Sequence, residues 1–306
     1  MQIGLHLHAF NSTTGIMPGT FSGVLDLCQW AEQVGFSFVS VQDHLVAYPN
    51  TASRTTPLPD VWSTLSAIAA LTRRIRLLPL VVNTATTHAV KLAQRAATLD
   101  LISDGRALLG LGIGGYLPDH LALGAVPGNI DDRSLRLGET VGVLNALWPG
   151  ESVSYHGEYF SFDDHILAPA PTHPLQILIA GYSRSVRAVV AEHADFSNFS
   201  MVDVQRFRSL VARTDVQRRA SDKHANAIRH TLLERIIVRE TDREAEAAWQ
   251  AKGAHGHRGV CGAPDTVIAA LAGLEDAGAS VVFAIFPDPI SRSLFARWVL
   301  PTLLAF

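Results

Sequence analysis

Apolar runs and amphipathic stretches alternate along almost the whole chain. Residues 2–8 read as a strand, and 21–34 as a helix entered through Thr20 or Ser22 and left at Gly35. Phe36 to Gln42 is a second strand, rich in β-branched and aromatic residues. Asp60 caps a helix over 61–71; 74–82 is a third strand and 88–102 the next helix. The fourth strand, 106–112, is apolar on both faces, as a parallel strand covered on both sides must be. Residues 132–147 read as a long amphipathic helix with Leu135, Leu137, Val141, Leu144 and Leu147 inward.

The rhythm then pauses. Val153 to Phe162 reads as a hairpin turning near Gly157, followed by Pro169, Pro171 and Pro174. It resumes with strands at 176–180, 194–198, 228–239 and 279–286, and helices at 183–192, 203–219, 241–251, 264–276 and 290–300. About eight strands, most followed by a helix, leave an open doubly wound sheet or a closed barrel. Eight units in one run favour an α/β fold of the (β/α)8 TIM-barrel type, with residues 1–306 as a single domain.

Composition adds few constraints. The chain has 306 residues and a formal charge of −3, with neither a basic stripe nor an acidic tail, so nucleic acid is not an expected partner. The start lacks a signal-peptide pattern, and the longest apolar runs fall far short of a membrane span, so a cytoplasmic protein with no membrane association is expected. Cys28 and Cys261, far apart in sequence, read as reduced structural thiols.

In a barrel the chemistry lies where strands end. Asp43 and His44 close the second strand, and a His there can move a proton near neutral pH; alternatively Asp43 accepts backbone N–H groups and His44 only packs. His6 and His8 share one face of the first strand; each can equally be a satisfied core histidine, and no third ligand at metal spacing joins them, so no metal site is expected. Asn83 and Thr84 follow the third strand, where Asn is also ordinary turn chemistry. Gly110, Gly112, Gly114 and Gly115 strip side chains from the end of the fourth strand. Gly181, Tyr182, Ser183, Arg184 and Ser185 open a helix, offering free N–H groups, hydroxyls and a charge to an anion, or simply an N-cap. His255 to Gly259 reads as a flexible loop that can act as a lid. Trp148, Phe160 and Phe162 read as packing residues.

In order and spacing these motifs resemble the bacterial luciferase-like flavin and deazaflavin oxidoreductases. The resemblance is carried by Gly35-Phe36 with Val41-Gln42-Asp43-His44, by Thr98-Leu99-Asp100 with Ser103-Asp104-Gly105-Arg106, and by Leu109 to Gly114. Gly157-Glu158-Tyr159-Phe160, Ile177 to Gly181, and Gly262 with Pro264 and Val267 continue it. It implies a TIM barrel with insertions, the main one after strand seven, usually a homodimer. It implies a flavin-type ring at the carboxyl-terminal face of the strands. Asp43, His44, Val82, Asn83, Gly114 and Gly115 would stand around that ring, with its phosphate near Gly181, Tyr182, Ser183 and Arg184. His44 would carry the proton, with His6, His8 or Asp119 as alternatives.

One branch of the family uses the deazaflavin coenzyme F420 as a hydride carrier. Another uses reduced FMN, delivered by a partner reductase, and oxygen. A chain near 300 residues leans toward the F420 branch acting on a small organic substrate, with the FMN monooxygenase as the alternative and a non-catalytic flavin-binding protein third. Departures from the pattern are Thr87-His88-Ala89, where the family often has Arg-x-Pro; Tyr116-Leu117-Pro118-Asp119-His120 after the glycine cluster, where it often has an acidic residue and Asp119 and His120 are the nearest polar candidates; and Gly181-Tyr182 in place of a Gly-Gly pair. The loops at Phe10 to Thr20, 49–59 and 250–260 are the expected pocket walls.

Overall fold

The computed structural model describes residues 1–8, 20–46, 58–221, 227–251 and 256–304. Eight parallel strands form a ring: β1 (Gln2–Leu7), β2 (Phe38–Val41), β3 (Arg76–Pro79), β4 (Leu109–Gly112), β5 (Ile177–Ala180), β6 (Phe196–Ser200), β7 (Arg229–Val238) and β8 (Ala279–Ile285). Each pairs in parallel with its neighbours, and β8 returns to β1. A parallel bridge between Leu77 and Ala107 joins β3 to the approach to β4 and closes the ring. The expected barrel is therefore present, with helices at 21–34, 61–71, 89–103, 130–147, 184–193, 204–219 and 264–276 between strands and a last helical segment from Pro289.

Two apolar layers hold it. Inside the ring, Phe38, Leu78, Leu108, Leu178, Phe196, Val281 and Phe283 pack together. Outside, the alternate residues of the strands meet the inward stripes of the helices in a larger core. Burial on both faces explains why the strands read as unbroken apolar runs. Local chemistry sets the helix ends. Thr20 Oγ1 accepts from Gly23 N at 3.2 Å, and Gly35, at φ +103°, ends that helix in the left-handed conformation that favours glycine.

Several expectations need correction. The strand expected over 74–82 breaks after Pro79, turns at a cis Leu80–Val81 peptide, and resumes as the short strand Val82–Asn83 beside β4. The helix expected from 132 starts at Ile130, capped by Asn129, and Leu135 is 60% exposed. Ser134, Leu137, Thr140, Val141, Val143, Leu144 and Leu147 form its buried face instead. The apolar-only pattern missed the small polar positions that let this helix sit close. A six-residue helix, Leu117–Ala122, follows the glycine cluster, where the hydrophobic pattern assigned no element. After β7, the helix Asp242–Ala251 and the short strand Val260–Gly262 make the insertion the resemblance implied. No helix among the described residues is long and apolar enough to cross a membrane.

Candidate functional site

A cavity of about 610 Å³ opens at the carboxyl-terminal ends of the strands. Asp43, His44, Leu80 to Asn83, Gly112 to Tyr116, Asp119 and Gly181 to Ser183 line it, with Asn198, Ser200 and Leu233 on the far side. This is where barrel geometry places ligands.

The glycines of β4 serve the protein first. A Cβ on Gly110 would lie 2.1 Å from the Pro79 carbonyl oxygen, and one on Gly112 would lie 2.7 Å from Val81 Cγ2. These two positions let the broken end of β3 cross close over β4. Gly115 differs: a Cβ there would meet nothing within 4 Å, so this position faces open cavity. Asn83 lines the cavity, yet its Oδ1 also accepts from Ala85 N at 3.0 Å, so turn chemistry and the cavity wall share one residue.

His44 lies in the wall, half-buried, with Nδ1 2.6 Å from Asp119 Oδ2. The other carboxylate oxygen of Asp119 accepts from Leu45 N at 2.9 Å and Val46 N at 3.1 Å. Burial alone would raise the Asp119 carboxyl. The hydrogen bond and charge of His44, and the two N–H donors, hold it below its usual value. Asp119 is therefore an acceptor, and His44 donates through Nδ1–H. Nε2 is the ring nitrogen that Asp119 does not hold. Asp43 is different: burial pushes its carboxyl up to about 6, against the pull of His44 and a hydrogen bond from the Asn83 backbone.

The remaining predicted residues divide. Val82, Gly114, Gly115, Gly181, Tyr182 and Ser183 all reach the cavity. Tyr182 is latched to β6, its Oη accepting from Ser200 N at 2.9 Å. Ser183 caps the helix 184–193, its Oγ accepting from Val186 N at 3.1 Å. Arg184 points away, exposed and outside the cavity lining, because the first turn of that helix turns its side chain to solvent. His6 lies inside the barrel below the cavity lining, 4% exposed, its Nδ1 2.9 Å from Ser40 Oγ. Burial, with repulsion from His8 and His44, lowers its basicity to about 3. His8 stands half-buried above it and is lowered chiefly by burial, then by Arg235.

Asp119 was only an alternative in the sequence; the short helix after Gly115 brings it to His44 across 75 positions. The same helix sends His120 Nε2 to the Gly114 carbonyl at 2.9 Å, and Arg133 donates to that carbonyl as well. Of the tract 255–259, residue 255 lies outside the described residues. The rest is tied down, with His257 Nε2 2.6 Å from Glu234 Oε2 and Arg258 Nη2 2.7 Å from Glu246 Oε2, rather than forming a loose loop. The expected walls at 10–19 and 49–57 also lie outside the described residues.

A family model described as luciferase-like monooxygenase matches residues 1–258. Over 244 residues the chain is 29% identical to the pyrimidine monooxygenase RutA of Rhizobium rhizogenes, covering 77% of this chain and 67% of that protein. Coverage falls to 60% for another relative of that name, so the chain spans about two thirds or less of these relatives' lengths. Among solved structures, an F420-dependent secondary alcohol dehydrogenase in complex with an F420-acetone adduct superposes with TM-score 0.83 at 17% identity, covering 97% of this chain and 98% of that one. The oxygenating constituent of 3,6-diketocamphane monooxygenase from Pseudomonas putida, in complex with FMN, does so with TM-score 0.76 at 18% identity, covering 98% of each chain. Likeness at those identities is likeness of fold.

Proposed function

The chain belongs to the luciferase-like monooxygenase family, and from that membership we propose that it is a monooxygenase using reduced FMN and oxygen on a small organic substrate, with the flavin reduced by a separate reductase. The observation that carries this reading is a convergence on one cavity: the open Gly115 position, the Leu80–Asn83 corner and the Ser183-capped helix start. A flat ring fits beside a wall with no side chain at Gly115. The helix start at Ser183 offers unpaired N–H groups to a phosphate. Reduced flavin, when bound, supplies the electrons that activate oxygen.

The chain's own residues orient, exclude water and move a proton. Leu80, Val81, Val82 and Leu233 give the cavity its apolar surface. Asp119 fixes the His44 ring, so that Nε2 is the proton-exchanging atom in the wall. The lean toward the deazaflavin rested on chain length. It loses weight because relatives named as monooxygenases align over 77% of this chain. Their name makes a pyrimidine the first substrate class to try.

The test supplies FMN through an unrelated reductase and measures oxygen uptake and product with uracil and other small heterocycles. Uptake coupled to an oxygenated product and dependent on the protein supports the reading. Tight binding of oxidised F420 beside negligible FMN affinity, with no coupled uptake, overturns it in favour of deazaflavin chemistry.

A further inference from the structure

The end of β7 carries a guanidinium with no role in the site described so far. Arg235 lies two residues beyond Leu233, which lines the cavity, and therefore on the same inward face of the strand. It is half-buried. Among the described residues its side chain makes no hydrogen bond and no ion pair. Its guanidinium lies over the face of Trp249, 5.2 Å from the guanidinium carbon to the ring centroid.

The nearest carboxylate is already committed. Glu234 holds His257 Nε2 at 2.6 Å through Oε2 and accepts Arg235's own backbone N–H at 2.7 Å through Oε1. That hydrogen bond raises the basicity of His257, so Glu234 is matched by a cation of its own. His8, just past the end of β1, has its basicity lowered chiefly by burial and then by Arg235, so the two side chains are near enough to interact. The Glu234 charge acts on Arg235 from the neighbouring position, but among the described residues no carboxylate reaches its guanidinium as an ion pair, and a half-buried cation so placed favours an added anion. A guanidinium on an aromatic face, with its donor fork open, matches a planar carboxylate.

We propose that Arg235, backed by Trp249 and with His8 beside it, is an anion-receiving subsite in the barrel mouth, and that the organic substrate places a carboxylate or similar planar oxyanion there. Naming that anion as part of the substrate rests on the monooxygenase reading; the subsite itself does not.

Trp249 makes the test local. Tryptophan emission of the full chain is followed during titration with benzoate and with its neutral isostere benzamide. The expected result is a saturable benzoate response, at least ~10-fold weaker for benzamide and in Arg235→Gln. The response is expected to be lost in Trp249→Phe and weakened but present in Arg235→Lys, which keeps the charge without the fork. Circular dichroism confirms that each variant is folded. A benzoate response unchanged in Arg235→Gln, equal for benzamide, or missing in the wild type overturns the subsite. FMN titration of the same samples separates the two readings. Benzoate binding without FMN binding keeps the subsite and removes the flavin; FMN binding without benzoate binding does the reverse.

Discussion

Two histidine–carboxylate pairs sit at opposite ends of this barrel in different surroundings. At the carboxyl-terminal ends of the strands, His44 meets Asp119 at 2.6 Å in the wall of a cavity. Toward the other end, on the face of β7 turned to the helices, His230 Nε2 meets Asp215 Oδ1 at 3.0 Å and its Nδ1 meets Ser197 Oγ at 2.7 Å. By residue type the second set is the more suggestive, since Ser, His and Asp in a row read as a hydrolytic triad. It does not line the cavity at the strand ends, and Ser197 is 1% exposed. The same chemistry thus holds β6, β7 and the helix 204–219 together in one place and lines an open cavity in the other. Geometry, not residue identity, separates the roles.

The largest effect should come from breaking the helix-side pair. His230→Ala would leave a cavity, an unpaired Ser197 hydroxyl and an unpaired Asp215, costing about 3 kcal/mol in denaturant unfolding. FMN affinity of the folded fraction should stay as in the wild type. A related pH effect follows in sign. Burial lowers His230 below its unfolded value despite Asp215, and it lowers His6 to about 3. In both, the folded state favours the neutral ring. Their contribution is complete above pH 6.5 and is lost as pH falls below it, for His6 down to about 3. Asp119, held low, is lost in the same direction as pH falls through the carboxylate range. Asp43 runs the other way: raised to about 6, it costs stability as pH rises from 3.8 toward 6. Thermal melts between pH 7 and 4 should show net acid destabilisation, with a shallower fall in His230→Gln.

Smaller effects sharpen the contrast. Asp119→Asn keeps an oxygen for the Leu45 and Val46 N–H groups but loses the charge that orients His44. Oxygenation should fall about 10-fold while unfolding free energy changes by less than about 1 kcal/mol. Asp215→Asn, at a pair with a 36% exposed carboxylate side, should change stability by under about 1 kcal/mol and leave oxygenation unaltered.

Much of this was legible in the sequence, for physical reasons that also mark where it stopped. Strands buried on both faces announce themselves as apolar runs, so the barrel could be counted before it was seen. Residues at strand ends must gather at one face of a barrel, so Asp43, His44, Gly114, Gly115 and Gly181 to Ser183 come together as expected. What pattern cannot give is side-chain direction over long separations. Arg184 turned outward because the phase of the first helical turn is not written in a Ser-Arg-Ser string. Leu135 was assigned inward because apolar character was counted while the buried Ser134 and Thr140 were not. Asp119 depended on a six-residue helix too short to leave a period. Arg235 was invisible because a continuous strand signal does not say which alternate residues face in.

If the cavity-side histidine serves chemistry and the helix-side histidine the fold, oxygenation supported by reduced FMN and the melting temperature, measured on the same preparations of His44→Gln and His230→Gln, must separate. His44→Gln should lose about 100-fold in turnover with a nearly unchanged melting temperature, and His230→Gln should melt lower with turnover retained in the folded fraction. Full turnover in His44→Gln, or a collapse of turnover in a well-folded His230→Gln, would contradict that division.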